Sequence, residues 1–186
     1  WALHLTEVDG MSRTQKDAKF IPLSVAVITI SDSRTPENDT SGDYLADSLA
    51  GEGHKLAFRK IVKDDKYALR AAFSALIADE DIDIIVSTGS TGLTGRDIAP
   101  EALEPLFDKA IDGFGELFRA ASLPDIGAAT IQSRAFAGLA NATVIFCIPG
   151  SPGACRTAWE EVIQPQLDAR TRPCNLANLM PRFKEF

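Results

Sequence analysis

Histidine is nearly missing from this sequence: two in 186 residues, His4 and His54. His4 lies in an N-terminal stretch and His54 in a glycine-flanked turn, so a mechanism built on a histidine base has little to stand on. The three cysteines, Cys147, Cys155 and Cys174, show no CxxC spacing and no partner histidines. That sets aside a zinc site and fits reduced thiols in a cytoplasmic protein. No apolar run reaches transmembrane length, and no secretory leader pattern is seen. A basic excess is lacking too: net charge is -7 and the pI is near 4.8. Nucleic acid and anionic membrane are therefore not expected partners. An anionic small molecule stays open, because backbone N–H groups and a metal ion hold phosphate without net positive charge. What is present, 45% hydrophobic and 24% charged residues, suffices for one domain with a core of its own.

Residues 1–19 are expected to be a leader, disordered or vector-derived, and 20–186 the single domain. Residues 24–31 (SVAVITIS) are rich in β-branched side chains and apolar on both faces, as a strand covered on both sides must be. A helix follows from Gly42 to Gly51, then a strand from Lys55 to Val62. In a helix from Lys66 to Ala78, Leu69, Phe73, Leu76 and Ile77 form one apolar stripe. Ile82 to Val86 reads as a third, buried strand. This alternation predicts an α/β fold in three layers, a mostly parallel, doubly wound, Rossmann-like sheet. Beyond it the pattern predicts a helix from Pro100 to about Lys109, a break at Gly113 and Gly115, a helix from Glu116 to Ser122 ending before Pro124, and a short helix over 126–133. A hairpin over 134–148, turning at Ala140-Asn141, supplies an antiparallel edge. Ser151, with Pro152 behind it, caps a last helix that carries Trp159, Val162 and Ile163 and that Pro165 should kink or end.

In such sheets ligands sit at the carboxyl ends of the strands. Asp32, Asp64 and the Thr88–Asp97 loop each follow a strand, so the topology brings them to one edge. In that loop Thr88-Gly89-Ser90-Thr91-Gly92 lets backbone approach a ligand closely. Its spacing matches neither the dinucleotide GxGxxG pattern nor the P-loop. On composition alone it reads equally well as an ordinary strand-to-helix turn. Asp64 and Asp97 converging on a phosphate would bind Mg²⁺. Singly, Asp64 reads as a helix cap, Asp97 as a surface partner of Arg96, and Glu101 as a charge favouring a helix start. Cys147 and Trp159 read as core.

Several separated motifs then line up in order: Ser31-Asp32, Asp39-Thr40-Ser41-Gly42, Asp64, TGSTG at 88–92, Arg96-Asp97 with Pro100-Glu101-Ala102, Gly113-Phe114-Gly115-Glu116, Ser133-Arg134 and Pro149-Gly150-Ser151-Pro152. Over residues 20–175 the chain resembles the MogA/MoaB family of molybdenum-cofactor biosynthesis proteins, most closely its MoaB branch. The resemblance implies that a molybdopterin phosphate attacks the α-phosphorus of ATP, giving adenylyl-molybdopterin and pyrophosphate, with Mg²⁺ as cofactor. It implies Asp64 and Asp97 as catalytic and metal-binding residues. For substrate binding it implies Asp32, Ser41, Gly42, Thr88, Gly89, Ser90, Thr91, Gly92, Arg96, Glu101, Pro149, Gly150 and Ser151. It further implies a homo-trimer or hexamer, with Gly113–Leu123 and the tail as contacts. Ser90 departs from the family's second glycine, and a serine is strained there if the position needs positive φ. The alternative is therefore a catalytically weak or inactive paralogue that binds molybdopterin as a scaffold.

Overall fold

A computed structural model describes residues 18–185. The expected leader falls outside the described residues, except for 18 and 19. At the centre stands β1 (Ser24–Ile30), whose last six residues are buried, so both its faces need cover. The six-stranded sheet runs β2 (Lys55–Val62), β1, β3 (Ile84–Thr88), β6 (Thr143–Ile148), β5 (Phe136–Ala140), β4 (Lys109–Ala110). The first four in that order are mutually parallel; β5 runs antiparallel to β6, and β4 antiparallel to β5. Helices α1 (Thr40–Gly51), α4 (Asp112–Ile126), α5 (Pro152–Ala158) and α6 (Gln164–Leu167) cover one face, over a core holding Leu45, Phe114, Phe118, Phe146 and Trp159. On the other face α2 (Lys66–Ile77) and α3 (Ala99–Leu103) pack over Ile28, Phe73, Ile85 and Leu103. This is the expected three-layer fold with its antiparallel edge.

Parallel order brings the carboxyl ends of β2, β1, β3 and β6 to one edge. Ser31 N–H reaches the Val62 carbonyl at 2.9 Å, and Gly89 N–H reaches the Ile148 carbonyl at 2.9 Å. All the expected site segments leave the sheet along that line.

Several boundaries differ from expectation, each for a physical reason. The third strand is 84–88 rather than 82–86, because Ser87 and Thr88 continue the ladder opposite Cys147 and Ile148. The helix expected to reach Lys109 ends at Leu103 in a short 3-10 turn; Phe107 is extended, with its ring 5.8 Å from Phe136, and β4 begins two residues on. Gly113 and Gly115 do not interrupt α4, nor does the helix stop before Pro124. Glycine costs about 1 kcal/mol in a helix, less than the burial of Phe114 and Phe118 against Phe146 returns. Between α5 and α6 the chain forms a π turn over Trp159–Ile163, which precedes Pro165 and lets the helix run on to Leu167. The β5–β6 hairpin turns at Asn141-Ala142, both at positive φ, the geometry that matches strand twist.

His54 links the start of β1 to the end of α1. It is 6% exposed, its Nδ1 accepts the Leu23 N–H at 3.3 Å, and Phe20 packs on its ring. Burial lowers its pKa from the ordinary 6.5, although Glu52 and Asp168 pull the other way. Unfolded chain takes up this proton near 6.5, folded chain only lower. Stability from this group is therefore full above about 6.5 and falls as pH drops below it. Melting temperatures between pH 7.5 and 5.5 are expected to decline in the parent and to decline less in His54→Asn. Equal slopes would refute the assignment.

Candidate active site

Asp64, which read singly as a helix cap, does not cap α2. Asp65 caps α2: its Oδ1 accepts the N–H groups of Tyr67 and Ala68 at 3.1 and 2.8 Å. Asp64 is thereby released from that duty, and its Oδ1 accepts the Ser90 hydroxyl at 2.5 Å. Similarly Asp39 is spent on structure. It is 1% exposed, caps α1 through Gly42 N–H, and accepts from Thr29 Oγ1 and Arg59.

β3 ends at Thr88, which is fully buried; its hydroxyl donates to the Pro149 carbonyl at 2.9 Å and lies 3.1 Å from Cys155 Sγ. Gly89 follows at φ 109, against the Ile30 carbonyl, where no Cβ fits. Ser90 follows at φ 61. Its hydroxyl accepts the N–H groups of Ile98 (2.8 Å) and Ala99 (3.1 Å) while donating to Asp64. Left-handed backbone costs a non-glycine residue about 1 kcal/mol. The bonds from Ile98 and to Asp64, at about 1 kcal/mol each, outweigh it, and the Ala99 N–H, shared with the Ser90 carbonyl at 3.0 Å, adds less.

Asp97 closes a tight turn on the loop's far side. Its Oδ2 accepts from Thr94 N–H (2.8 Å) and Thr94 Oγ1 (2.7 Å). A Cβ on Gly92 would come within 2.7 Å of the same oxygen. Burial raises the Asp97 carboxyl, but Thr94, the Gly92 N–H and Arg134 together bring it below the usual carboxylate value. Asp64 goes the other way: burial raises it, the charge of Asp97 adds to the rise, and the Ser90 bond offsets part of it. The two carboxylates thus sense one another.

Arg134 braces the loop and was not singled out as a site residue by the sequence reading, although it stands in the Ser133-Arg134 motif. Its guanidinium donates to the carbonyls of Gly92 (2.7 Å) and Asp97 (2.6 Å) and pairs with Glu101. The bond from its own N–H to the Thr91 carbonyl, at 2.9 Å, adds a fourth anchor. Arg96 pairs with Asp32, whose Oδ1 accepts the Asp64 N–H at 3.3 Å. Ser41 donates to the Gly150 carbonyl at 2.9 Å, tying the α1 turn to the loop after β6.

A cleft of about 580 Å³ opens here. Gly89 to Gly92, Asp97, Pro149, Gly150 and Ser151 form one side. The other is α4 with the 3-10 turn behind it: Phe118, Arg119, Ser122, Asp125, Ile126, Thr130, Gln132 and Ser133. The sequence reading missed this second wall; helical periodicity at Phe118 and Ser122 points to packing and gives no sign of a concave surface. Gly89 and Gly150 also border a hollow of about 90 Å³ reaching Ser31, Asp39, Ser41 and Thr88. Of the residues expected to bind substrate, the structure gathers the glycine loop and the 149–151 loop on the main cleft, and Ser41 and Thr88 on the smaller hollow. Asp32, Gly42, Arg96 and Glu101 line neither cavity, and Asp64 meets the main cleft only through the Ser90 hydroxyl.

A model of the "probable molybdopterin binding domain" family matches residues 26–169. The chain belongs to the MoaB/MogA family. Over 162 residues it is 56% identical to molybdenum cofactor biosynthesis protein B of Escherichia coli K12, covering 87% of this chain and 95% of that protein. A crystal structure of a molybdenum cofactor biosynthesis protein B has TM-score 0.79 at 40% identity, with 87% and 96% of the two chains covered. For the tungsten cofactor synthesizing protein MoaB from Pyrococcus furiosus the values are 0.67, 38%, 77% and 91%. In this MoaB/MogA chain no helix among the described residues is long and apolar enough to cross a membrane.

Proposed function

We propose that this protein acts in molybdenum cofactor biosynthesis, adenylylating molybdopterin with ATP. The observation that carries the reading is the pair formed by Asp97, in the cleft wall, and Asp64, which does not cap α2 and is joined to that wall through the Ser90 hydroxyl. In the reaction a molybdopterin phosphate oxygen bonds to the α-phosphorus of ATP, the bond from that phosphorus to the bridging oxygen breaks, and pyrophosphate leaves. The substrate supplies its own nucleophile, so the protein's task is alignment and charge neutralisation. A lining without histidine or cysteine suits that task.

Mg²⁺ fits these residues. Among the described residues no three acids, histidines or cysteines gather as a metal cage. Mg²⁺ takes one or two carboxylates and draws its other ligands from phosphates and water. Asp64 and Asp97 would hold it, and its charge would offset that of the phosphates. The cleft volume suits a ligand of this size.

The test is pyrophosphate release from full-length protein given molybdopterin, ATP and Mg²⁺. Release dependent on all three is expected. Molybdopterin binding without release would instead support the scaffold reading. That alternative has its own observation: the Ser90 hydroxyl occupies two backbone N–H groups at the cleft. The exposed apolar side chains of Leu117, Leu123, Ile126 and Ile131 support assembly into a trimer or hexamer.

A further inference from the structure

Among the described residues three non-glycine residues take positive φ, and two of them, Asn141 and Ala142, make the β5–β6 turn. The third, Ser90, lies in the cleft wall and is 8% exposed. Glycine would take its φ of 61 without strain, so the serine side chain must return something.

A hydroxyl has one proton and two lone pairs. Here the Ile98 N–H donates to it, and the Ala99 N–H divides between it (3.1 Å) and the Ser90 carbonyl (3.0 Å). The proton is left with one acceptor, Asp64 Oδ1. Ile98 and Ala99 open α3, directly after Asp97, so the same hydroxyl ties the end of β2 to the segment that carries the second carboxylate. Among the described residues this is the one side-chain hydrogen bond of Asp64, and it is made through Oδ1.

We propose that Ser90 is a positioning residue: its hydroxyl, oriented by the Ile98 and Ala99 N–H groups, fixes Asp64 so that a single oxygen, Oδ2, is offered to the divalent cation that enters with the nucleotide. The proposal rests on the adenylyl-transfer reading above for the identity of that cation. Groups that orient a metal-binding carboxylate typically change metal affinity 10–100-fold when removed.

The experiment titrates Mn²⁺, followed by electron paramagnetic resonance, into full-length protein saturated with α,β-methylene-ATP. The proteins are the parent, Ser90→Ala, Ser90→Gly, Asp64→Asn and the Ser90→Ala/Asp64→Asn double variant. Both Ser90 variants are expected to bind Mn²⁺ about 10-fold or more weakly. Ser90→Ala is expected to add no loss in the Asp64→Asn background. In turnover the Mg²⁺ requirement is expected to rise. Glycine sheds the backbone strain that alanine keeps, so Ser90→Gly is also the variant that secures a folded protein.

Parental Mn²⁺ affinity in Ser90→Ala would overturn the proposal. So would an equal loss in both backgrounds, or a loss in alanine that glycine restores. A parent that binds Mn²⁺ with nucleotide yet releases no pyrophosphate overturns adenylyl transfer; a Ser90 effect on Mn²⁺ then upholds the positioning role. A parent that turns over while Ser90→Ala keeps full Mn²⁺ affinity overturns positioning alone. A parent that binds no Mn²⁺ overturns both.

Discussion

Asparagine at position 97 is expected to lower pyrophosphate release by about 10²–10³-fold, the range seen when a group that stabilises developing charge is removed. The substitution is nearly isosteric. Asparagine Oδ1, placed where Oδ2 of Asp97 now sits, still accepts both the Thr94 N–H and the Thr94 hydroxyl. Lost fold stability should be near 1 kcal/mol, about 2–4 °C in a chain of this length. What the substitution removes is charge. Burial works against ionisation of Asp97, and Thr94, Gly92 and Arg134 more than offset it, so the native carboxylate stays ionised into acid. An amide offers a metal neither that charge nor a second anionic oxygen. Rate and melting temperature measured on one preparation decide the matter: a rate within threefold of the parent, or a fall in melting temperature large enough to explain the loss, would remove Asp97 from catalysis.

The parallel sheet was legible because β1, β3 and β6 are buried on both sides and read as apolar runs, and from the sheet came the common edge for Asp32, Asp64 and Asp97. Less legible were features whose causes lie far apart in sequence. Nothing local tells Asp64 from Asp65; the difference is Ser90, 26 residues on, which claims the first and leaves the second to cap α2. Arg134 reads as a strand residue until its guanidinium is seen bonding carbonyls about forty positions earlier. Gly113 and Gly115 look like a break because propensity is local, whereas α4 is held by Phe114 and Phe118 in the common core. The second cleft wall was missed for the same reason. A concave surface is made by two elements, and neither carries it in its own periodicity. Ser90 was the exception, since a serine in a glycine-rich turn announces backbone strain that the structure shows at φ 61.

Gly89→Ala is expected to be the most destabilising single-methyl change in the site, costing about 3 kcal/mol or more. Two penalties act together. At φ 109 an alanine lies outside the small left-handed region open to L-residues. Its Cβ would also overlap the Ile30 carbonyl oxygen. That carbonyl belongs to β1, which is paired with β2 through Ile30 on one side and with β3 through Thr29 on the other, so it yields little. Relief must come from the loop. Gly89 is tied to Ile148 through its N–H, Gly150 packs on it, and Ser90 follows it, so the shift would reach Asp64 as well. A misplacement on the order of 1 Å is enough to cost about 10²-fold in rate. The melting temperature should therefore fall by roughly 6–12 °C, with turnover falling alongside it even well below the transition. Gly95→Ala is the matched control: it lies in the same loop, has no atom within 4 Å of its added Cβ and does not take positive φ. It should leave both quantities near the parent's. Equal effects at the two positions would mean that the loop is simply intolerant of methyl groups, and that the contact with Ile30 does not set the geometry of the site.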